Sequence, residues 1–423
     1  MENNLYIVSW NVTRKCNLCC PHCYLPALDG TGTETFEELR TEEALQVIDQ
    51  IALVNPEVML ILSGGEPILR KDIFELAEYA SGKGMMVVLG SNGLLINDQI
   101  AFQLRQRGVS GVSISLDSTD PKIHDGIRSL DGAWEAAIKA VRICKSNGLA
   151  VQINTTVTQK NYDEISGLIE YCQTLGARVF SPFFLICTGR GEELTDITPK
   201  HYEKILSLIV EWQGIYDGMM IRTRCTPTFR RILYQIDPNS TLLKMDTGRC
   251  LAGLHYCRIT PEGNVTPCPY MPLPVGNVKR DNFKDIWTES EAFLPFRNPS
   301  LKGRCGLCEF RLMCGGCRAR AFAFYKDCME EDPWCAYTPK KEEAIKPDFF
   351  KSDFIAMGKP LWTEEAEERL KMVPFFARSM VRGAVERYAM ENNCKEITSK
   401  IMVEAKGKLC RSNWTSSRTK TFD

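Results

Sequence analysis

Six runs of β-forming residues recur through the first half of the chain, and they constrain the fold more than any other feature. They are "IVSWNVT", "VMLILS", "MMVVLGS", "GVSISLD", "AVQINTTV" and "RVFSPFFL". The segments between them have helical periodicity. In "RTEEALQVIDQIALVN", Thr41 is placed to cap a helix, and Ala44, Ile48, Ile51 and Ala52 share one face. In "KDIFELAEYASGKG", Ile73, Leu76, Ala77 and Ala80 share another, and Gly82 or Gly84 ends the run. Strands alternating with helices imply an α/β fold with a parallel sheet and right-handed crossovers. Six such units over roughly 190 residues suit an open, partial (β/α)6 TIM-like barrel better than a closed eightfold one. Functional groups then belong at the C-terminal ends of the strands.

The character changes past residue 220. Nine cysteines lie between Cys250 and Cys335, among many glycines and prolines and little long periodicity. This reads as a small α+β domain held by metal rather than by a large core. The expected division is a barrel over 1–220, the cysteine-rich domain over 221–343, a charged linker over 344–358, a small helical C-terminal module over 359–410 and a tail over 411–423. Within the module, Thr363 is placed as a cap, and Leu370, Val373, Phe376, Met380 and Val381 as core.

With 423 residues, 44% hydrophobic and 25% charged, the chain has enough apolar mass for a sizeable core. A net charge of −1 gives no electrostatic reason for nucleic-acid or anionic-membrane binding. No apolar run reaches the ~18 residues of a membrane span, and "MENNLYIVSW" does not read as a secretory signal. The expected location is therefore the cytoplasm, where nineteen cysteines are not explained by a disulfide framework. With four histidines only, the metal is zinc or iron–sulfur.

The stretch "RKCNLCCPHCYLPA" places Cys16, Cys20 and Cys23 at C-x3-C-x2-C spacing directly after the first strand, with Tyr24 following. Three thiolates can bind three irons of a 4Fe–4S cube and leave the fourth open. The next strand ends carry polar groups in turn: Gly64, Gly65 and Glu66 in "ILSGGEP", then Asn92 in "SNG", Ser115 and Asp117 in "SISLD", Arg128 in "HDGIR" and Thr156 in "NTTV". The series resembles the radical S-adenosylmethionine (AdoMet) enzymes over about residues 5–220. The resemblance implies that the three cysteines hold the cluster and that Tyr24, Gly64, Gly65, Glu66, Asn92, Ser115, Asp117, Arg128 and Thr156 line the AdoMet site. Glu66 would accept from the methionine ammonium group and Arg128 would face the carboxylate. It also implies the chemistry, a 5′-deoxyadenosyl radical that abstracts hydrogen from an unactivated C–H bond. Cys19 falls at a variable position and reads as a buried thiol. A zinc knuckle on all four cysteines is the plainer alternative, made awkward by the adjacency of Cys19 and Cys20.

The later cysteines resemble the SPASM extension of those enzymes, which usually holds two auxiliary 4Fe–4S clusters. By position, Cys250, Cys257, Cys268 and Cys317 would hold one, and Cys305, Cys308, Cys314 and Cys335 the other. The pattern departs at "CGGC", where three intervening residues are usual and two stand here, and Cys328 is extra. A zinc ribbon on Cys305, Cys308, Cys314 and Cys317 is the alternative.

The C-terminal stretch resembles a module of dark-operative protochlorophyllide reductase, also found in SPASM enzymes of haem and haem d1 pathways. It implies a tetrapyrrole substrate, with oxidative decarboxylation of Fe-coproporphyrin III propionates as one instance. Arg222, Arg224 and Arg230, with Arg231, are then candidate substrate carboxylate contacts; a solvated basic helix is the alternative. Flavodoxin or ferredoxin would be the electron donor. A peptide maturase and a non-catalytic iron–sulfur or zinc protein are the rival functions.

Overall fold

The computed structural model describes residues 5–25, 37–192, 197–212, 218–240, 242–243, 249–340, 343–345 and, with interruptions, 360–411. Strands β1 (Ile7–Asn11), β2 (Met59–Ser63), β3 (Met86–Ser91), β4 (Gly111–Ser115), β5 (Ala150–Val157) and β6 (Val179–Phe184) are laid side by side in chain order, all parallel. Helices α1 (Thr41–Val54), α2 (Ile73–Gly82), α3 (Asp98–Gln106), α4 (Pro121–Arg128), α5 (Ala133–Ser146) and α6 (Ile165–Thr174) fill the crossovers.

The pleat decides which side chains face where. Leu60, Leu62, Val87, Leu89, Val151 and Ile153 are buried beneath the helices, each contributing on the order of 1.5–3 kcal/mol. Their neighbours Ile61, Ser63, Val88, Gln152, Asn154 and Thr156 line the interior of the open barrel. Ala44, Ile48 and Ile51 of α1 are buried with Val47, and Ala52 packs at the edge; all four expected residues of α2 are buried. The cap of α1 differs from expectation. Arg40 occupies it, and its N–H donates to the Glu43 carboxylate at 2.8 Å, so Thr41 is the first helical residue.

The sheet extends at both edges beyond the six expected strands. A two-residue strand β7 (Met220–Ile221) joins β6, too short to leave a periodic signal in sequence. At the other edge β8 (Tyr256–Ile259) pairs parallel with β1, from Ile7↔Tyr256 to Trp10↔Ile259. β9 (Asn264–Thr266) and β10 (Gly276–Asn277) follow antiparallel. The cysteine-rich region thus shares one ten-stranded sheet with the barrel.

Helices α7 (Pro199–Trp212) and α8 (Thr228–Ile236) pack together beyond β6. On α8, Arg230 and Arg231 are buried, so the solvated basic helix does not describe them. In the C-terminal module, β11 (Leu361–Trp362) pairs with β12 (Glu396–Ile397), and Thr363 Oγ1 accepts from Ala366 N–H at 3.3 Å as the expected cap. Leu370 is buried there with Val373 and Val381 against it, while Phe376 and Met380 lie outside the described residues. So do most of 344–358 and nearly all of 411–423. Among the described residues, no helix is long and apolar enough to cross a membrane.

Candidate functional site

A cavity of about 1850 Å³ occupies the barrel interior and opens at the strand ends, where Cys16, Cys20, Cys23 and Tyr24 line it. Two glycine loops clamp the cysteine loop. Gly65 N–H donates to Thr13 O at 2.8 Å and Glu66 N–H to Lys15 O at 2.7 Å. A Cβ on Gly64 or Gly65 would overlap the Thr13 or Lys15 carbonyl, so both positions require glycine for this approach. On the other side, Arg190 donates from its main chain to Cys23 O and from Nε to Cys20 O, each at 3.0 Å. Gly189, at φ +61°, lies against the Cys23 and Tyr24 carbonyls. This second clamp, "GRG" after β6, was legible only as two glycines flanking an arginine.

Burial pushes the Cys16 thiol up to about 11 and also raises Cys20, whose rise the Arg128 guanidinium opposes. Cys16 lies within electrostatic reach of both Cys20 and Cys23. Three thiols of one loop at the cavity lining suit a cluster that keeps one iron open. Cys19 is exposed and outside that lining, not the buried thiol expected. Among the described residues, no three Cys, His, Asp or Glu side chains gather as for a single metal ion. A cluster needs no such convergence, since each iron takes its own thiolate.

The structure divides the strand-end residues into two groups. Gly64, Gly65, Asn92, Ser115, Thr156 and Arg128 line the cavity. Glu66 and Asp117 do not. The Glu66 carboxylate is wholly buried, accepting from Ser91 Oγ at 3.0 and 3.1 Å, Asn92 N–H at 2.9 Å and Ile68 N–H at 3.3 Å. Burial pushes it up to about 7. These bonds brace β2 against β3 through the Glu66 carboxylate. Asp117 accepts from Arg128 Nε at 2.6 Å and Thr156 N–H at 2.8 Å, and its carboxyl is held below its ordinary value: burial is the largest influence and opposes ionisation, but Arg128, the neighbouring histidines and the Thr156 N–H together outweigh it. It orients Arg128 at the cavity wall.

Tyr24 OH accepts from Asn11 Nδ2 at 2.9 Å, and its ring meets Tyr270 edge-on at 5.2 Å. Arg222 and Arg224 continue β7 along β6, donating main-chain N–H to Phe180 O at 2.9 Å and Pro182 O at 3.0 Å. Both line the cavity, as do Arg230 and Arg249, the last unforeseen from sequence. Arg231 points elsewhere. It is paired with Glu203, lies 4.8 Å over the Tyr337 ring, and lines a small separate cavity.

That small cavity is bounded by Cys305, Cys308, Cys314 and Cys335 together. Of the other expected quartet, Cys250, Cys268 and Cys317 are brought together at the large cavity, but Cys257 is not. On β8, Tyr256 faces the cavity, so Cys257 faces the opposite side and is fully buried in the main core. Cys225, which no spacing motif includes, stands with the three.

Family models match in the same order: Radical SAM superfamily over residues 10–172, an iron–sulfur cluster-binding domain (SPASM) over 250–309, and the proto-chlorophyllide reductase 57 kD subunit over 362–406. The first two imply a 4Fe–4S cluster with AdoMet and auxiliary iron–sulfur clusters. The chain is 37% identical to the AdoMet-dependent heme synthase of Methanosarcina barkeri, over 81% of this chain and 99% of that protein. It is 28% identical to the mycofactocin maturase MftC of Mycobacterium ulcerans, over 78% and 87%. The fold is similar to that of Streptococcus suis SuiB bound to S-adenosylmethionine, at TM-score 0.65 and 18% identity over 79% of this chain and 78% of that one. By its identity along almost the whole Methanosarcina protein, the chain belongs to the radical SAM superfamily, in the tetrapyrrole-modifying group that includes the AdoMet-dependent heme synthases.

Proposed function

We propose that this enzyme oxidatively decarboxylates propionate side chains of an iron tetrapyrrole, with Fe-coproporphyrin III as substrate, in haem biosynthesis. The supporting observation is the single cavity of about 1850 Å³ that joins the three-cysteine loop to Arg222, Arg224, Arg230 and Arg249. Ligand pockets commonly span about 300–1,000 Å³, so this one has room for a nucleoside cofactor and a large planar ring together. Guanidinium groups are suited to the bidentate capture of carboxylates.

Cys16, Cys20 and Cys23 would hold the first cluster. Two auxiliary 4Fe–4S clusters would sit in the later cysteines, and a flavodoxin or ferredoxin would bring the electron. When bound, the cluster and AdoMet supply the radical that removes a hydrogen atom beside the ring. The protein's own groups bind and position. Asn92, Ser115 and Thr156 offer hydrogen bonds to ribose hydroxyls and the methionyl carboxylate, and Arg128, fixed by Asp117, offers charge. Loss of a hydrogen atom, carbon dioxide and one electron would turn a propionate side chain into a vinyl group. An auxiliary cluster held by the later cysteines would supply the one-electron acceptor. The boundaries 1–220, 221–343 and 359–410 are proposed for the barrel, the cluster region and the C-terminal module.

Anaerobically reconstituted protein, given reductant, AdoMet and Fe-coproporphyrin III, is expected to form 5′-deoxyadenosine and a porphyrin that has lost carboxyl mass. Deoxyadenosine with an untouched porphyrin would overturn the substrate, and turnover of a precursor peptide would favour a maturase instead.

A further inference from the structure

We propose that Cys225 is a ligand of the auxiliary cluster beside the barrel, completing a four-thiolate set with Cys250, Cys268 and Cys317, and that Cys257 is not a ligand. The inference rests on the iron–sulfur part of the proposed function and is independent of the substrate.

Position comes first. Cys225, Cys250, Cys268 and Cys317 all line the large cavity and pack in one cluster with Ile186, Ala252 and Met271. Each is within electrostatic reach of others in the set: Cys225 of Cys317 and Cys250, and Cys268 of Cys225, Cys250 and Cys317. Among the described residues, the charged group in reach of Cys257 is Arg297, with no cysteine beside it.

The backbone supplies an independent observation. Cys225 stands at φ +60°, a left-handed conformation that costs an L residue with a Cβ on the order of 1–2 kcal/mol. Such a conformation persists where the surroundings over-determine it. Here a buried ion pair does so. Arg320 Nη2 donates to Cys225 O at 3.1 Å, and Arg320 Nη1 is paired with Asp332 at 2.9 Å. Asp332 Oδ2 accepts from Cys317 N–H at 2.8 Å. The pair therefore ties the main chain at Cys225 to the main chain at Cys317, across about ninety positions of sequence, and fixes both thiols on one side.

Cys328 is the competing fourth ligand. It packs against the same cluster and reaches Cys250 electrostatically, yet it does not line the cavity, and its carbonyl is turned to Arg318 at 2.8 Å. Four protein thiolates close the cluster. A closed cluster offers substrate no iron to bind and serves as an electron acceptor only.

The test counts iron and reads the electron paramagnetic resonance of the reduced full-length protein, without substrate. Cys225→Ala is expected to lose about four irons per chain, one cluster's worth, together with one component of the spectrum. Cys257→Ala and Cys328→Ala keep both. AdoMet cleavage in Cys225→Ala reports that the barrel is folded. Should that variant fail to fold, Cys225→Ser decides: a cluster with an altered spectrum supports ligation, and a wild-type spectrum overturns it. Full iron and an unchanged spectrum in Cys225→Ala, or cluster loss in Cys257→Ala, would also overturn the proposal. Wild-type protein with iron for one cluster alone would instead remove the auxiliary-cluster reading on which it stands.

Discussion

The cysteine loop at the barrel mouth and the cysteine quartet beside it are built in opposite ways. Cys16, Cys20 and Cys23 come from eight consecutive positions, and two glycine loops hold their backbone from either side. Cys225, Cys250, Cys268 and Cys317 come from a span of more than ninety positions, and a buried Arg320–Asp332 pair links two of them. A site made locally is written in spacing. A site made by packing is written in the parity of strands and in long-range hydrogen bonds, which spacing does not carry.

The largest effect expected from breaking the local site is at Cys20. Cys20→Ala should reduce AdoMet cleavage to background, while Cys19→Ala, at an exposed position, should stay within about twofold because it alters no buried contact. The reverse pattern would show that spacing misidentified the trio. Gly65→Ala should come next. Its Cβ meets the Lys15 carbonyl, so the loop must move, and iron on the first cluster together with cleavage should fall at least about tenfold. Retained cleavage would mean that the clamp is incidental.

The Glu66 brace gives the comparison a pH axis. Its carboxyl sits near 7 in the folded chain against 4.5 for the ordinary group, so between those values the native state keeps a proton that the unfolded state has released. Stability should therefore fall as pH rises from about 4.5 to about 7, by roughly 3 kcal/mol from this group. Glu66→Gln should flatten that part of a denaturation series; an unchanged slope would place the pH dependence elsewhere.

Arg224→Ala should raise KM for the porphyrin about tenfold, the loss of one charge-assisted contact, with substrate-free AdoMet cleavage intact. An unchanged KM would remove Arg224 from the carboxylate contacts. The smallest effect is at the C-terminal module, where Thr363→Ala should cost about 1 kcal/mol through the lost helix cap. Hydrogen exchange confined to 364–372 would show it, and unchanged protection there would refute it.

These differences follow what the sequence made legible. The six strands, the helix faces of α1 and α2 and the cavity-lining polar strand ends were readable because each rests on a period of two or of 3.6. Three features escaped. Glu66 and Asp117 have the residue type of a ligand contact, and no spacing announces the partners their carboxylates hold within the protein. Cys225, and not Cys257, stands beside Cys250, Cys268 and Cys317 because β8 turns Cys257 away from the cavity, and no local pattern announces that a strand from residue 256 pairs with β1. The short β7 carries too few residues to have a period at all.

The pairing of β1 with β8 also sets an order of assembly. As the chain leaves the ribosome, β1 can find β2 after some fifty residues, but its other edge waits for Tyr256–Ile259, about 250 positions later. Such non-local closure is slow, and an unpaired edge is open to wrong partners meanwhile. The nascent barrel therefore presents its first three cysteines, without the far wall of their cavity, until most of the protein has been made. Cluster insertion into this enzyme is best suited to follow completion of the sheet, and a truncation before β8 should leave a chain that aggregates rather than a smaller working barrel.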